Sequence, residues 1–184
     1  MKTIIENEQF TRTLKRMTHE IIERNEDLSS LILVGIEKKG TPIAKEIQSL
    51  IFLFEGISVP VEAIDISSHR DDEKKSDVKN ILTENITDKV IVLVDDVLFT
   101  GRSARAAMDA IIDMGRPSKI ELAVFVDRGH RELPIRADFI GKNIPTSKEE
   151  KVVVDFVEKT VSLKWNVFKT NIQNNSFIKL TVMI

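Results

Sequence analysis

The 184-residue chain contains no cysteine and no tyrosine, and it has a single tryptophan. Without cysteine, disulfides, zinc–thiolate sites and cysteine nucleophiles are excluded, which suits a reducing compartment. No apolar run approaches the roughly 20 residues of a membrane span, and the N-terminus has no apolar signal-peptide core. The net charge of −2 gives no global attraction to nucleic acid, so any such surface would be a local patch. The sequence therefore predicts a cytoplasmic protein without a membrane partner.

Short apolar runs alternate with amphipathic segments along the chain. Apolar residues recur at helical spacing over residues 8–25, 41–54 and about 104–115. The runs that predict strands are LILVGI (31–36), VPVEAIDIS (59–67), VIVLV (90–94), IELAVFV (120–126) and ADFIG (137–141). This alternation is typical of an α/β fold with a mainly parallel central sheet flanked by helices. Polar stretches follow three of the strands, and ligands of such folds bind at that edge of the sheet.

The stretch VIVLVDDVLFTGRS (90–103) runs from a predicted strand into a predicted helix. Thr100 to Ser103 precede the helix, whose free N–H groups and dipole attract anions, and Gly101 allows the backbone to approach a ligand closely. Asp95 and Asp96 lie just before them, able to accept hydrogen bonds from sugar hydroxyls or to hold Mg²⁺ through water. This order predicts a ribose-phosphate site with a metal. The alternative is a capped helix beside two solvated aspartates.

The same stretch closely resembles the binding motif for phosphoribosyl pyrophosphate (PRPP) in type I phosphoribosyltransferases. HEIIERN (19–25), ILVGIEKKG (32–40) and residues 106–152, which include DRGHRELPIRADFIGKN, narrow the likeness to the bifunctional pyrimidine operon regulators with uracil phosphoribosyltransferase activity. The resemblance covers roughly residues 3–157. It implies a type I phosphoribosyltransferase domain over 1–157 with a small hood and a flexible loop. Residues 158–184 would form a divergent tail that could add a strand.

The resemblance implies two activities. Members of the family transfer phosphoribose from PRPP to uracil, giving UMP and pyrophosphate with Mg²⁺ as cofactor. They also bind the mRNA leader of the pyrimidine operon in response to UMP and attenuate transcription, and they assemble as homodimers or higher homo-oligomers. Two alternatives stay open, an RNA-binding attenuator with little or no catalysis and a phosphoribosyltransferase for another base.

The resemblance also implies roles for single residues. Asp95 and Asp96 would hold the ribose hydroxyls and, through ribose and water, Mg²⁺, and Arg70 would join them from a polar loop (67–80) that closes over the reaction. The residues expected to contact PRPP and UMP are Lys38, Lys39, Gly40, Asp95, Asp96, Val97, Leu98, Phe99, Thr100, Gly101, Arg102 and Ser103. The expected uracil pocket is Val126, Asp127, Arg128 and Val152. The expected RNA-binding set is Lys15, Arg16, His19, Arg24, His130, Arg131, Arg136 and Lys142.

This chain departs from the family pattern at the expected pyrophosphate turn. Lys38 and Lys39 stand where the family usually has a threonine–arginine pair, and lysine keeps the charge but lacks the bidentate fork of arginine. The polar loop is also shorter than is typical. Without the resemblance, the residues favour simpler interpretations. The loop would be a solvated run of charges, and the basic set would be a solvated helix face. No aromatic residue is interleaved in the basic set, although sequence-specific RNA reading requires stacking partners for unpaired bases.

Overall fold

The computed structural model describes residues 2–70 and 82–165, the last by its backbone alone. The helices are α1 (Asn7–Arg24), α2 (Gly40–Glu55) and α3 (Arg102–Met114), with a short 3₁₀ turn at Leu28–Ser30. The strands are β1 (Lys2–Ile5), β2 (Leu31–Ile36), β3 (Val61–Ile64), β4 (Val90–Leu98), β5 (Lys119–Asp127), β6 (Phe139–Asn143), β7 (Glu150–Asp155) and β8 (Thr160–Trp165). Of the expected loop at 67–80, residues 71–80 lie outside the described part.

A five-stranded sheet forms the centre of the fold, in the order β3–β2–β4–β5–β6, and all its pairings are parallel. One hydrophobic cluster joins α1 and α2 to one face of the sheet, and a second joins α3 to the other face. Every residue of β2 is buried, because both faces of the sheet are covered. The predicted α/β fold with a parallel central sheet is confirmed. In the part of the chain that the structure describes, no helix is long and apolar enough to cross a membrane.

A separate antiparallel sheet, which we call the hood, has the order β1–β8–β7. Its strands β1 and β7 were not predicted from the sequence, because they are short and half exposed and show little apolar alternation. The expected domain boundary after residue 157 falls between β7 and β8, and Leu163 of β8 pairs with both Lys2 and Val152. The expected tail thus begins with a strand of the hood, and its residues 166–184 lie outside the described part.

Strand β4 is four residues longer than its apolar run predicts. It continues through Leu98, because Asp95 and Val97 pair with Val124 and Val126 of β5. The two aspartates therefore lie within the strand rather than in the turn after it. A strand backbone holds them more rigidly than a loop would.

Candidate functional site

Three turns meet at the carboxyl edge of the central sheet, after β2, β4 and β5. Gly40, the first residue of α2, brings two of these turns together. A Cβ atom on Gly40 would lie 2.0 Å from the carbonyl oxygen of Val94 and 3.2 Å from the Cα atom of Asp95. Real Cβ atoms do not approach backbone so closely, so only glycine fits here. The expected pyrophosphate turn is thereby placed directly against the strand that carries the aspartates.

Lys39 reaches across this junction to Asp96. Its Nζ atom lies 3.0 Å from Oδ2 of Asp96, whose side chain is only 14% exposed. The backbone N–H of Asp96 donates to Oδ1 of Asp95 at 2.8 Å. Two of the expected sites, the pyrophosphate turn and the ribose-binding pair, are therefore in direct contact. Because the lysine is half exposed, we expect this pair to contribute little to stability.

The two aspartates do not carry two full charges. Burial, and next the negative charge of Asp96, raise the pKa of Asp95 to about 8. Lys39 acts in the opposite direction but does not compensate. Asp95 therefore holds a proton at neutral pH in the ligand-free chain, which removes most of the repulsion between neighbouring carboxyl groups.

We expect the melting temperature of the ligand-free protein to fall as the pH rises from 5 to 9. In this interval the folded chain keeps a proton on Asp95 that the unfolded chain, with an ordinary aspartate pKa near 4, has already released. Stability is thus lost progressively until the pH exceeds the folded pKa of about 8. The fall should be several degrees, at about 2–4 °C for each kcal/mol in a domain of this size.

The measurement is thermal melting of the wild type and of Asp95→Asn at both pH values. The asparagine cannot titrate, so its melting temperature should change less than that of the wild type. Equal falls in the two proteins would show that other groups cause the pH dependence.

The phosphate-binding segment expected at 100–103 forms the turn between β4 and α3. Gly101 has a φ of +93°, and the carbonyl of Thr100 accepts hydrogen bonds from the backbone N–H groups of Glu132 and Leu133 at 3.0 and 3.1 Å. The turn is therefore fixed from outside. The N–H of Arg102, the first residue of α3, donates to Oγ1 of Thr100 at 3.3 Å, and a helix start offers further N–H groups that a ligand can bind. A cavity of about 390 Å³ opens here, lined by Arg70, Asp95, residues 97–104 and Glu132.

A second cavity of about 460 Å³ adjoins the first and extends towards the pyrophosphate turn. It is lined by residues 36–39, 65–67 and 95–97 and by Arg70 and Ser103. Arg70, Asp95, Val97 and Ser103 line both cavities. The structure thus brings expected PRPP residues from two separate parts of the chain, and Arg70 from a third, to one continuous cleft. Arg70 lies at the point where its two halves join.

Asp65 is a cleft residue that sequence reasoning missed. It directly follows β3 and lines the second cavity, and hydrogen bonds from the hydroxyl and backbone N–H of Ser67 lower its pKa. The rule that polar residues at the carboxyl ends of parallel strands form sites would have found it. The predicted strand over 59–67 hid this signal, because the observed β3 ends at Ile64.

The four residues of the expected uracil pocket differ in their surroundings. Val126 and Val152 are buried in the same hydrophobic cluster, which joins β5 to the hood. Asp127 and Arg128 do not pair with each other, because the carboxylate of Asp127 pairs with Arg131. The structure therefore brings the two valines together and gives the charged residues separate partners.

Arg128 is held rigidly just after β5, against Phe99, which lines the first cavity of the cleft. It is 6% exposed, and its guanidinium carbon lies 3.9 Å from the ring centroid of Phe99. Its Nε donates to Oγ1 of Thr146 and its Nη2 donates to the carbonyl of Ser147, both at 3.0 Å. Thr146 and Ser147 lie between β6 and β7, and nothing in the local sequence marks them as partners of the site.

The expected RNA-binding residues lie on two sides of α1. On one side, Nη2 of Arg16 donates to the carbonyls of Ile140 and Gly141 at 2.9 and 2.7 Å, which brings α1 against β6 and Lys142. His130, Arg131 and Arg136 lie in the connection from β5 to β6. On the other side, the ring of His19 stacks on Phe54 of α2, with centroids 4.2 Å apart. Lys15 is exposed on α1.

Besides Arg16, two further arginines of this set have partners within the fold. Arg24 pairs with Glu121, which is 1% exposed, and with Asp138, at 2.9 and 3.0 Å. Arg131 donates to the carbonyls of Ile135 and Phe99 at 2.9 and 2.8 Å, besides its pair with Asp127. Lys119 and the amide of Asn25 also contact the carboxylate of Glu121, both at 2.8 Å, so Glu121 keeps partners if Arg24 turns to another ligand.

An α/β sheet that carries an anion cradle and paired carboxylates along one edge defines a domain that binds phosphorylated sugars or nucleotides. Residues 1–159 match the model of the phosphoribosyl transferase domain, and the chain belongs to this family. It is 50% identical to the Bifunctional protein PyrR of Streptococcus suis over 157 residues, which are 85% of this chain and 91% of the relative. It is 51% identical to the Bifunctional protein PyrR of Chloroflexus aurantiacus over 173 residues, 89% of this chain and 95% of the relative. The expected family is confirmed.

Solved structures of more distant proteins share the fold. A hypoxanthine phosphoribosyltransferase of Trypanosoma cruzi superposes with a TM-score of 0.71 at 17% identity, covering 89% of this chain and 95% of that one. A hypoxanthine phosphoribosyltransferase of Staphylococcus aureus gives a TM-score of 0.68 at 19% identity, covering 87% and 90%. Identities this low support the type I phosphoribosyltransferase fold and nothing finer.

Phosphoribosyltransferases of this family generally use Mg²⁺ with PRPP. Among residues 2–70 and 82–165, no group of three or more histidine, aspartate or glutamate side chains could hold a metal by itself. Mg²⁺ commonly binds through one or two carboxylates together with substrate oxygens and water. Asp95 and Asp96 therefore fit a Mg²⁺ ion that arrives with its substrate.

Proposed function

We propose that this chain is a UMP-responsive regulator that attenuates pyrimidine-operon transcription through the mRNA leader and also converts uracil and PRPP into UMP and pyrophosphate. The observation that carries the enzymatic half is the continuous cleft, where the pyrophosphate turn, the aspartate pair and the phosphate cradle meet. The identity of about 50% with proteins named Bifunctional protein PyrR supports both halves.

In this proposal the 5′-phosphate binds at the start of α3 and the ribose hydroxyls bind Asp95 and Asp96. Lys39 leaves Asp96 and, with Lys38, turns to the pyrophosphate. The bond from ribose C1 to a pyrophosphate oxygen breaks, a bond from C1 to N1 of uracil forms, and the proton of N1 passes to the departing pyrophosphate. Positive charge that develops on the ribose ring lies beside the aspartates, which stabilise it electrostatically. Bound Mg²⁺ would supply charge neutralisation for the leaving pyrophosphate.

The base site is the more constrained part of the proposal. Arg128 is fixed by Phe99 and Thr146 before any ligand arrives, so little entropy is lost when it contacts uracil or PRPP. Val126 and Val152 supply the apolar floor. Arg70, at the junction of the two cavities, would complete the catalytic set.

The regulatory half involves the basic side chains around β6. Arg16, Lys142 and the connection from β5 to β6 form one surface, to which RNA phosphates would bind. We propose a homodimer or higher homo-oligomer that acts in the cytoplasm, where PRPP and nascent mRNA occur.

One observation favours the alternative of an attenuator with little catalysis. In the ligand-free chain Lys39, the expected pyrophosphate ligand, is paired with Asp96, the expected ribose ligand. Both partners must separate before PRPP binds, and neither Lys38 nor Lys39 offers the bidentate contact of arginine.

The deciding experiment incubates the protein with PRPP, Mg²⁺ and uracil, and separately with orotate or hypoxanthine, and measures each nucleotide by chromatography. A gel shift with RNA from the leader upstream of the encoding gene is run with and without UMP. We expect UMP from uracil alone and tighter RNA binding with UMP. UMP-dependent RNA binding without turnover would favour the attenuator, and turnover of another base would favour the third alternative.

A further inference from the structure

A third cavity lies beyond the carboxyl ends of β5 and β6. It shares no lining residue with the two cavities of the cleft, but Asp127 and Arg128 of the expected uracil pocket line it. Its volume is about 460 Å³. Ala137, Ile140 and Pro145 form an apolar wall, and Arg131, Arg136 and Asn143 supply polar groups. A mostly apolar lining with a few placed polar groups is typical of sites for small or planar ligands.

The polar groups of this cavity differ in the contacts that they can still make with a ligand. The N–H groups of Arg131 donate to Asp127, Ile135 and Phe99. A ligand can therefore contact the flat face of this guanidinium rather than its N–H edge. Arg136 is exposed, and so is Asn143, whose amide stands at the end of β6. Arg128 and Asp127 also line the cavity, so three arginines face one aspartate and the lining is net positive.

On the basis of the proposed RNA function, we propose that this cavity binds one unpaired nucleotide of the leader RNA. The base packs between the apolar wall and the plane of Arg131, the amide of Asn143 reads its edge, and Arg136 pairs with a flanking phosphate. Sequence-specific RNA recognition uses bases splayed out of the strand and stacked on aromatic or guanidinium planes. The cavity supplies the stacking partner that the basic residues of the sequence lack.

A flat, uncharged base beside an anionic phosphate matches an apolar wall with a positive rim. An acidic peptide would match the rim but not the wall, since its carboxylates cannot be buried against Ile140 and Pro145 without a large desolvation cost. The position of the cavity also fits, because Arg131 and Arg136 belong to the expected RNA-binding set.

The test is a double-mutant cycle between the cavity and the RNA. Each unpaired nucleotide of the leader RNA is replaced in turn by an abasic one, and affinity is measured with UMP by gel shift. We expect one position to cost the wild-type protein about tenfold, the order of one lost base stack. Ala137→Leu, which fills the cavity, should bind the intact RNA about tenfold more weakly, and the abasic change should then add no further loss.

The proposal would be overturned if the losses caused by Ala137→Leu and by the abasic nucleotide multiply. It would also be overturned if Ala137→Leu binds the intact RNA as tightly as the wild type does. Ala137→Ser keeps the cavity open and should bind as the wild type does, and thermal melting of both variants checks the fold. Failure of the proposed function is seen separately, because the wild type itself would then not bind the leader RNA, and this inference would be rejected with it.

A charge-matched pair of variants tests the rim. Arg136→Ala should weaken leader binding about tenfold and lower its salt dependence. Arg116→Ala removes the same charge from an exposed residue at the opposite end of the sheet, before β5, and should change the affinity less than twofold. Equal effects of the two variants would mean that general charge, not this cavity, determines RNA binding.

Discussion

Replacing Asp96 by alanine should lower kcat/KM for UMP synthesis by about two to three orders of magnitude. Asp96 is held within β4 and beside Lys39, so its carboxylate is positioned before the substrate binds. The substitution removes the group that faces the developing charge of the ribose and also releases Lys39. Steady-state kinetics with varied PRPP and uracil measures the loss.

Two controls separate this loss from misfolding. Asp96→Asn keeps the shape but not the charge, so activity close to that of the alanine variant would assign the effect to charge. The melting temperature of Asp96→Ala should stay within a few degrees of the wild type, because the pair with Lys39 is half exposed and the repulsion on Asp95 disappears. Wild-type turnover by Asp96→Ala would show that the catalytic site lies elsewhere.

Replacing Gly40 by alanine should disrupt both stability and PRPP binding. The new methyl group would lie 2.0 Å from the carbonyl oxygen of Val94, and neither backbone can move without shifting α2 against β4. Overpacking of this kind costs about 1–3 kcal/mol or more. A displacement of about 1 Å in the pyrophosphate turn would cost on the order of 100-fold in kcat/KM. Denaturant unfolding and PRPP titration measure the two effects.

The other end of α2 offers a matched control for this substitution. Gly56 has a φ of +69°, and a Cβ atom there would meet nothing within 4 Å. Gly56→Ala should therefore cost only the roughly 1–2 kcal/mol of a left-handed conformation, with unchanged PRPP affinity. If both variants lose PRPP affinity equally, the cause is a general loss of α2 stability rather than contact at the site.

The main segment of the cleft could be predicted from the sequence because its parts are local. Residues 90–103 contain, in order, a strand, the two aspartates, a turn with hydroxyl and glycine residues, and the start of a helix. Each of these features has a physical cause in neighbouring residues. The apolar stripe Phe10, Leu14, Met17 and Ile21 was likewise predicted, and all four residues are buried.

What the sequence could not show are contacts between distant residues. The pair of Arg24 with Glu121 joins α1 to β5, which are far apart in the sequence. The support of Arg128 by Thr146 and the tie of Arg131 to Phe99 likewise depend on register between strands. The length of β4 depends on β5 in the same way, because apolar periodicity ends at Val94 while hydrogen bonding continues.

The hood has a consequence for how this chain folds. Its strands β1 and β8 come from opposite ends of the described chain, and the hydroxyls of Thr3 and Ser162, 159 residues apart, lie 3.4 Å from each other. Strands so far apart close slowly, because the entropy of a long loop must be lost before their contacts form. During synthesis the central sheet can assemble first, because the hood cannot form until β8 has left the ribosome. A nascent chain therefore completes the hood, which includes Val152, only after β8 has been synthesised.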